Sequence, residues 1–203
     1  MTQPESHLFY QSRLRRPLVD RAEGIYIWDR SGKRYIDGSS GAMISNIGHS
    51  NPKVLEAMRK QMEKATFAYR LHFENEPAET FARRLVEYMP EGLDKVFFVS
   101  GGSEAVESCL KMARQYALAI GEPHRYKMIS RFPSYHGSTL GALAATGMAL
   151  MSAPFDPMLK QMPKIPAPTV YLYQTESNTE EKRTLRGLYY ANLLEEEILR
   201  QGP

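Results

Sequence analysis

A continuous apolar run passes directly into a glycine-rich turn and then into a helical pattern near the middle of the chain. Residues 96–99 read VFFV, residues 100–103 read SGGS, and apolar side chains recur at helical spacing from Ala105 to Ile120. A short run that is apolar throughout is typical of a strand covered on both faces, and residues 126–132 predict a second strand. Strand, helix and strand in this order predict an α/β layer with parallel pairing and a right-handed crossover.

The SGGS turn places small residues where a helix begins, and the first amide groups of a helix have no partner inside it. Gly101 and Gly102 would let a ligand approach the backbone, and Ser103 adds a hydroxyl donor. Because the helix dipole favours negative charge at this end, the pattern indicates an anion pocket suited to a phosphate monoester. The structural alternative is a tight turn with a serine cap, and this tetrapeptide alone does not distinguish such a turn from an anion pocket. Neither a P-loop nor the full G-x-G-x-x-G spacing is present, which disfavours nucleoside triphosphates and NAD.

A second candidate site follows the next predicted strand, where residues 135–137 read YHG. Neighbouring strand ends in an open α/β sheet face the same crevice. Tyr135 could therefore lay its ring against a planar cofactor, and Gly137 would leave room for it. The structural alternatives are a partly buried tyrosine with a satisfied hydroxyl, and a structural His136 in place of an acid–base catalyst.

Turn residues and periodicity predict the remaining elements. Gly32 lies between two β-rich runs, residues 25–29 and 33–37, which favours a hairpin. Asn51 followed by Pro52 is typical of a helix start. Further predictions are a helix continuing from Pro52 to residue 65, helices over residues 77–89 and 178–200, and a proline-rich surface loop over residues 154–168.

Composition excludes several classes of function. The net charge of +3 is too small to suggest a nucleic-acid partner, and the single cysteine, Cys109, excludes a multi-cysteine zinc site. No apolar stretch approaches the ~20 residues of a membrane span, and the N-terminus has no secretory pattern. We therefore expect a cytoplasmic protein without a structural metal, nucleic acid or membrane partner.

Together these motifs resemble the N-terminal part of a class III (omega-amino-acid:pyruvate type) pyridoxal-phosphate-dependent aminotransferase of fold type I. The resemblance spans about residues 16–199 and rests on several linked motifs in the right order. They are WDRSGKRYID at 28–37, NIGH at 46–49, GGSEAVE at 101–107 and YHG at 135–137. The resemblance implies a large α/β domain, with a mostly parallel sheet between helices, and a small N-terminal α+β region. Residues 1–70 would form the N-terminal segment and the small-domain hairpin and helix, and residues 71–203 the first part of the large domain.

The resemblance also implies roles for individual residues. Those matching the cofactor-binding positions are Gly101, Gly102, Ser103, Tyr135, His136 and Gly137, and those matching the substrate-pocket loop are Gly41, Ala42 and Met43. Tyr135 would stack on the pyridine ring of pyridoxal 5′-phosphate. Many relatives carry an aromatic residue near Met43, so the methionine leaves substrate size open. The family's usual NSGS loop reads SGGS here, and losing the hydroxyl at Gly101 would cost about 1 kcal/mol of cofactor affinity.

The implied activity is transfer of an amino group from an amine or omega-amino acid to a keto acid such as pyruvate, by a homodimer. The Schiff-base lysine of the family is expected beyond residue 203, so no catalytic residue is expected within this chain. Lys111, Lys127, Lys160 and Lys164 do not lie in the family's lysine context. The alternatives are another fold type I enzyme (a decarboxylase or aminomutase), a phosphate-ligand binding module, or a catalytically dead regulatory or assembly protein if the chain ends at residue 203.

Overall fold

The computed structural model of the chain describes residues 6–10, 14–169 and 180–202. The chain forms two compact units, Met1–Tyr88 and Met89–Pro203, called the first and second unit below. The domain boundary expected after residue 70 stays a prediction. None of the helices in these described ranges has the length and apolar character needed to cross a bilayer.

The first unit contains a three-stranded antiparallel sheet in the order β1-β2-β3. Its strands are β1 (Val19–Glu23), β2 (Tyr26–Asp29) and β3 (Arg34–Ile36). The pairing of β2 with β3 confirms the predicted hairpin, and Gly32 has the positive φ of 84° that its turn requires. Asp29 closes this turn, because its carboxylate accepts hydrogen bonds from the Ser31 amide and hydroxyl, the Lys33 amide and the Tyr35 hydroxyl.

Three helical segments follow in the first unit: α1 (Ser40–Met43), α2 (Pro52–Lys64) and α3 (Glu76–Val86). The short α1 has non-helical backbone angles at Gly41 and Ala42 and coincides with the predicted substrate-pocket loop. Both longer helices have an asparagine cap and a proline in the first turn. They confirm the two predicted helices, although α3 ends before the predicted residue 89. The apolar stripe of α2 (Val54, Leu55, Met58 and Met62) is exposed.

The second unit begins its regular structure with a long helix and has a parallel strand pair. Its elements are α4 (Gly102–Ala119), β4 (Ser130–Phe132), α5 (Leu140–Ala145), α6 (Ala149–Ser152), a 3₁₀ helix (Ala153–Met158), β5 (Lys164–Pro166) and α7 (Glu180–Gln201). Strand β4 pairs in parallel with β5, and Ser130 lies opposite Lys164. The structure confirms the helix predicted after the SGGS turn. Residues 178 and 179 of the predicted last helix lie outside the described residues.

The strand predictions for the second unit need two corrections. Residues 96–99 belong to neither sheet, and Phe97 is 59% exposed. The parallel partner of β4 is instead β5, within the segment predicted as a surface loop. An apolar run indicates that a segment tends to be buried, but it does not identify the segment with which a strand pairs. The short β5 ends in Pro166, which cannot donate to a ladder, so its sequence carries a weak strand signal.

The buried core of the second unit consists mostly of small side chains on and beside α5. The buried apolar residues in the described ranges are Ala117, Ala142, Leu143, Ala144 and Ala145. Thr146, directly after α5, is 1% exposed. Small side chains let neighbouring backbone approach closely, and α5 therefore becomes the support against which the loop before it packs.

Candidate functional site

Helix α4 begins without a side-chain cap. Its N-cap residue, Gly101, has an extended backbone with φ −172° and ψ 174°. The Ala105 amide bonds to the Gly101 carbonyl at 3.0 Å, whereas the amides of Gly102, Ser103 and Glu104 have no acceptor within the described part of the chain. These three amides lie at the positive end of an 18-residue helix, which is a favourable place for an anion. We call them, with the Ser103 hydroxyl, the anion cradle.

The space in front of the cradle is open. A Cβ atom built on Gly101 or Gly102 would meet no other atom within 4 Å. The extended backbone of Gly101 is allowed to any residue, so backbone strain does not demand glycine there. What the two glycines provide is access, because a ligand can reach the amides without meeting a side chain.

Ser103 links the cradle to the second predicted site segment. Its Oγ accepts a hydrogen bond of 3.1 Å from the Ser138 amide. The hydroxyl proton has no acceptor among residues that the structure describes, so it is available to an anion. Gly137 has a φ of +135°, and a Cβ there would lie 2.6 Å from Ser103 Oγ. Only glycine allows this approach, and the structure thus brings together the two segments that the sequence predicted to share a crevice.

Thr146 holds the loop that carries Tyr135 and His136. Its Oγ1 accepts from the His136 amide at 3.0 Å and lies 3.0 Å from the Ala142 carbonyl oxygen. A bridge between Ser134 and Gly147 fixes the other side of the loop. Between these anchors the Tyr135 side chain is 59% exposed, so a ring face is available for stacking.

His136 is half-buried and has its backbone amide fixed. Its side chain lines a cavity of about 530 Å³ beside α4, together with Val106 and Cys109. This surrounding fits either a structural or a chemical role. The cofactor-binding role that the family resemblance gives His136 therefore stays a prediction.

Glu107 lies beside the cradle and belongs to the GGSEAVE motif, although the sequence pattern assigned it no role of its own. It follows Ser103 by one helical turn and lies on the same face of α4. Its Oε1 accepts from the Thr139 hydroxyl at 2.6 Å and from the amides of Gly141 and Ala142 at 2.9 and 3.1 Å. The Thr139 hydrogen bond, more than any other cause, lowers the pKa of Glu107 below its ordinary value. The i, i+4 spacing of Ser103 and Glu107 was the sequence signal for this residue.

The predicted substrate-pocket loop lies in the first unit and has an unusual backbone. Gly41 has φ 66° and ψ −117°, and Met43 has a positive φ of 61°. Asp37 anchors the loop, because its Oδ1 accepts from the Gly41 amide at 3.4 Å while its Oδ2 lies 2.8 Å from Nε2 of His49. The hydrogen bond from His49 is the main cause that lowers the pKa of Asp37. Met43 is 79% exposed, and left-handed non-glycine backbone is often found at ligand sites.

Three lysines of the second unit each contact another residue of that unit. Lys127 Nζ donates to the Gln201 carbonyl at 2.5 Å, and Lys164 Nζ donates to the Ala144 carbonyl at 2.8 Å. Lys160 Nζ lies 4.3 Å from the centre of the Tyr126 ring. The expectation that the Schiff-base lysine lies elsewhere stays a prediction.

Comparison with known proteins gives the family. The sequence model of the family Aminotransferase class-III matches residues 10–198. An uncharacterized aminotransferase of Schizosaccharomyces pombe is 38% identical over 100% of this chain and 44% of its own length. The adenosylmethionine-8-amino-7-oxononanoate aminotransferase of Aquifex aeolicus is 37% identical over 86% of this chain and 39% of its own length.

Solved structures agree with these sequence matches. An (S)-enantioselective omega-transaminase from Thermomicrobium roseum has a TM-score of 0.85 and 36% identity, covering 97% of this chain and 44% of that one. An omega transaminase from Pseudomonas jessenii in complex with PMP has a TM-score of 0.86 and 31% identity, covering 98% and 45%. The chain thus spans less than half the length of these relatives. It belongs to the class-III aminotransferases, a pyridoxal-phosphate-dependent family, and has the N-terminal part of their fold type I architecture.

Proposed function

We propose that the complete gene product moves an amino group from an amine or omega-amino acid to a keto acid such as pyruvate, with pyridoxal 5′-phosphate as cofactor. The observation that carries this proposal is the uncapped start of α4, where three amides without an acceptor in the described ranges adjoin open space. Family membership supplies the reaction class. The proposed small-molecule partners are the amine and the keto acid.

The residues of the cradle fit a phosphate ester. The amides of Gly102 and Ser103 and the Ser103 hydroxyl would donate to its oxygens, and hydrogen bonds to a charged acceptor are stronger than those between neutral groups. Glu104 does not fill the cradle itself, because its Oε2 accepts from the Ser100 amide at 2.7 Å. When bound, the cofactor supplies a conjugated ring that takes up an electron pair from the substrate.

The loop that follows β4 would hold the ring of the cofactor. We propose that Tyr135 stacks its exposed ring face on the pyridine ring of the cofactor, and that Gly137 and His136 line the same side of that ring. The support is the packing of Gly137 against Ser103 Oγ and the bond between the His136 amide and Thr146. A loop anchored at these points presents its aromatic ring with little loss of conformational freedom on binding.

We propose that Gly41, Ala42 and Met43 line the substrate pocket. The support is the left-handed backbone of this loop and the exposure of Met43. Methionine is unbranched and flexible, so it would form an adaptable apolar wall. Met43→Trp should therefore lower kcat/KM for a bulky aryl amine about tenfold relative to a small aliphatic amine. An unchanged ratio of the two kcat/KM values would remove Met43 from the pocket.

We also propose that the working protein is a cytoplasmic homodimer and that its Schiff-base lysine lies outside residues 1–203. The apolar stripe of α2 is exposed. This exposure supports the proposal that another surface covers the stripe, contributed either by a second copy of the protein or by other parts of the gene product. Sedimentation of the complete gene product tests the dimer, and a monomer would contradict it. Purified residues 1–203 should show no transaminase turnover, and robust turnover would contradict the assignment of the lysine.

The decisive experiment measures amino transfer by the complete gene product. Purified protein is loaded with pyridoxal phosphate and mixed with an amine donor and pyruvate, and alanine is quantified. Alanine formation that requires both cofactor and donor is the expected result. Tight cofactor binding with release of CO₂ or an isomerised amino acid in place of alanine would redirect the assignment to a decarboxylase or aminomutase. Failure to bind the cofactor would refute the cradle itself.

A further inference from the structure

We propose that Glu107 is a positioning residue for the anion cradle: it holds the start of α5 so that Gly137 and Ser138 stay packed against Ser103. The inference rests on the function proposed above and goes beyond it, because Glu107 would not touch the phosphate. Its effect would be on how strongly the protein distinguishes a phosphorylated ligand from the same ligand without phosphate.

The carboxylate of Glu107 acts as the cap of a helix to which it does not belong. Thr139 is the N-cap residue of α5 but makes no side-chain bond to that helix. Its hydroxyl instead donates to Glu107 Oε1, and the amides of Gly141 and Ala142 donate to the same oxygen. These two amides are among the first of α5, which a capping side chain ordinarily satisfies. One oxygen from α4 thus replaces the local cap and ties the two helices together.

The shape of the contact is specific to the residues present. A Cβ atom built on Gly141 would lie 2.8 Å from Glu107 Oε1 and closer still to Oε2. Any side chain at position 141 would therefore displace the carboxylate or the start of α5. Glycine and glutamate occur here as a matched pair, with the missing side chain of Gly141 making room for the carboxylate of Glu107.

Ser103 and Glu107 bind consecutive parts of one segment. Ser103 accepts from the Ser138 amide, while Glu107 holds Thr139 and the two amides beyond it. When Ser103 Oγ accepts this bond, its own proton points elsewhere and remains available to an anion. Without Glu107, the segment would be held by the Ser138 bond and, before it, by the bonds of Thr146 to His136 and Gly137. The part from Ser138 to Ala142 would lose its tie to α4, and the Ser103 hydroxyl would be less firmly oriented.

The charge of Glu107 adds to this role. Thr139, Gly141 and Ala142 donate to it, and Lys111 is the cation whose charge also favours its ionised form. Hydrogen bonds to an ionised acceptor are shorter and stronger than neutral ones. A glutamine at this position would keep the shape, but its neutral oxygen would bind the three donors less strongly.

The test compares two ligands that share a ring and differ only in the phosphate. The apo form of the complete gene product is titrated with pyridoxal phosphate and with pyridoxal, and the ratio of the two dissociation constants is measured. Glu107→Gln should reduce the preference for the phosphorylated ligand about threefold, less than loss of the Ser103 hydroxyl itself, because it weakens rather than removes one hydrogen bond to the phosphate, and should leave pyridoxal affinity unchanged. Gly141→Ala, which displaces the carboxylate from the other side, should give the same reduction, and the double variant should add nothing further.

The control is Glu122→Gln, which removes the same charge beyond the opposite end of α4 and should leave the ratio unchanged. If the unaltered protein binds both ligands equally, the cradle and the proposed function fail. If it prefers the phosphate and Glu107→Gln keeps that preference, the role of Glu107 is refuted and the proposed function stands. Equal weakening of both ligands would show general structural support and would also refute the positioning role. If Glu107→Gln fails to fold, Gly141→Ala decides the question with the same ratio.

Discussion

The N-terminal amides of α2 and α3, in the first unit, are capped by side chains, whereas those of α4, in the second unit, are not. In the first unit, Asn51 Oδ1 accepts from the Lys53 amide at 3.1 Å, and Asn75 Oδ1 accepts from the Ala78 amide at 3.2 Å. In the second unit, Gly101 offers α4 no side chain at all. The first unit therefore satisfies these two helix starts with its own side chains, whereas three amides of α4 have no acceptor among the described residues.

This difference agrees with the proposal that the start of α4 binds a ligand. An asparagine or serine cap stabilises a helix by about 1 kcal/mol relative to alanine but by only about a few tenths of a kcal/mol relative to glycine, so α4 forgoes a contribution of that smaller size with Gly101 at its cap. Ligand binding to the folded state would restore it, because binding raises stability by mass action. Substitutions at these helix starts, and one in the turn between β2 and β3, test this comparison.

Adding a cap to α4 should abolish the site. Gly101→Asp places a carboxylate beside the Ser103 and Glu104 amides, and the extended backbone of Gly101 accepts the new residue without strain. Pyridoxal phosphate affinity of the complete gene product should fall at least about 100-fold, since the carboxylate takes the donors and repels the dianion. The apo protein should melt at a higher temperature. Gly101→Ala is the control for the added Cβ atom alone, and equal affinity of the Asp and Ala variants would contradict the cradle.

Removing the hydroxyl of the cradle should have the next largest effect. Ser103→Ala deletes a donor to the phosphate and leaves the Ser138 amide without its acceptor. Affinity for pyridoxal phosphate should fall about tenfold. Ser108→Ala on the same helix removes a hydroxyl that bonds to the Glu104 carbonyl of α4 itself, and its affinity should stay within about twofold of the unaltered protein. Similar losses in both variants would show that helix stability rather than the hydroxyl matters.

Restoring the hydroxyl usual in the family should strengthen the site. Gly101→Ser has open space for its side chain. One additional hydrogen bond to the phosphate would contribute about 1 kcal/mol, or about fivefold in affinity. Isothermal titration with pyridoxal phosphate measures the gain. A loss of affinity would mean that the serine caps α4 instead of serving the ligand.

Removing a cap from the first unit should affect stability alone. Asn51→Ala leaves two amides of α2 without their acceptor and should lower the free energy of unfolding by about 1 kcal/mol. Chemical denaturation of the apo protein measures this change. The ratio of pyridoxal phosphate to pyridoxal affinity should not move, and a tenfold change in that ratio would contradict the contrast between the two units.

Acid should weaken a further contact within the first unit, the set of hydrogen bonds to the Asp29 carboxylate. Hydrogen bonds from Ser31 and Tyr35 lower the pKa of Asp29 to about 2 from an ordinary 3.8. Because the folded value is the lower one, this stabilisation is present above about pH 4 and is lost as the pH falls through about 2. Asp29→Asn should therefore melt several degrees lower than the unaltered protein at pH 6, and the difference should shrink as the pH approaches 2. A difference independent of pH would show that the charge of Asp29 plays no part.

Local chemistry predicted much of the fold and part of the site. Gly32 marked the hairpin, Asn51 with Pro52 marked α2, and the SGGS turn marked the start of α4. Each of these signals acts over a few neighbouring residues, so the sequence shows it directly. The contact between residues 137–138 and Ser103 was expected only because parallel strand ends share an edge of a sheet.

Long-range pairing could not be predicted in the same way. The run at residues 96–99 has stronger strand propensity than β5, yet among the described residues β4 pairs with β5 and not with that run. Pairing depends on which segments the chain brings together, and propensity carries little of that information. Glu107 was missed for a related reason, because its donors lie more than thirty residues away and two of them are backbone amides.

The small side chains in the core of the second unit have a practical consequence for directed evolution. A Cβ atom on Gly137 would lie 2.6 Å from Ser103 Oγ and 2.9 Å from the Cβ atom of Ala142. A larger group at position 137 or 142 would therefore separate the loop that carries Tyr135 from the start of α4. Saturation libraries meant to preserve the proposed anion cradle should therefore leave these two codons fixed. Diversity is better introduced at Met43, whose side chain already faces solvent.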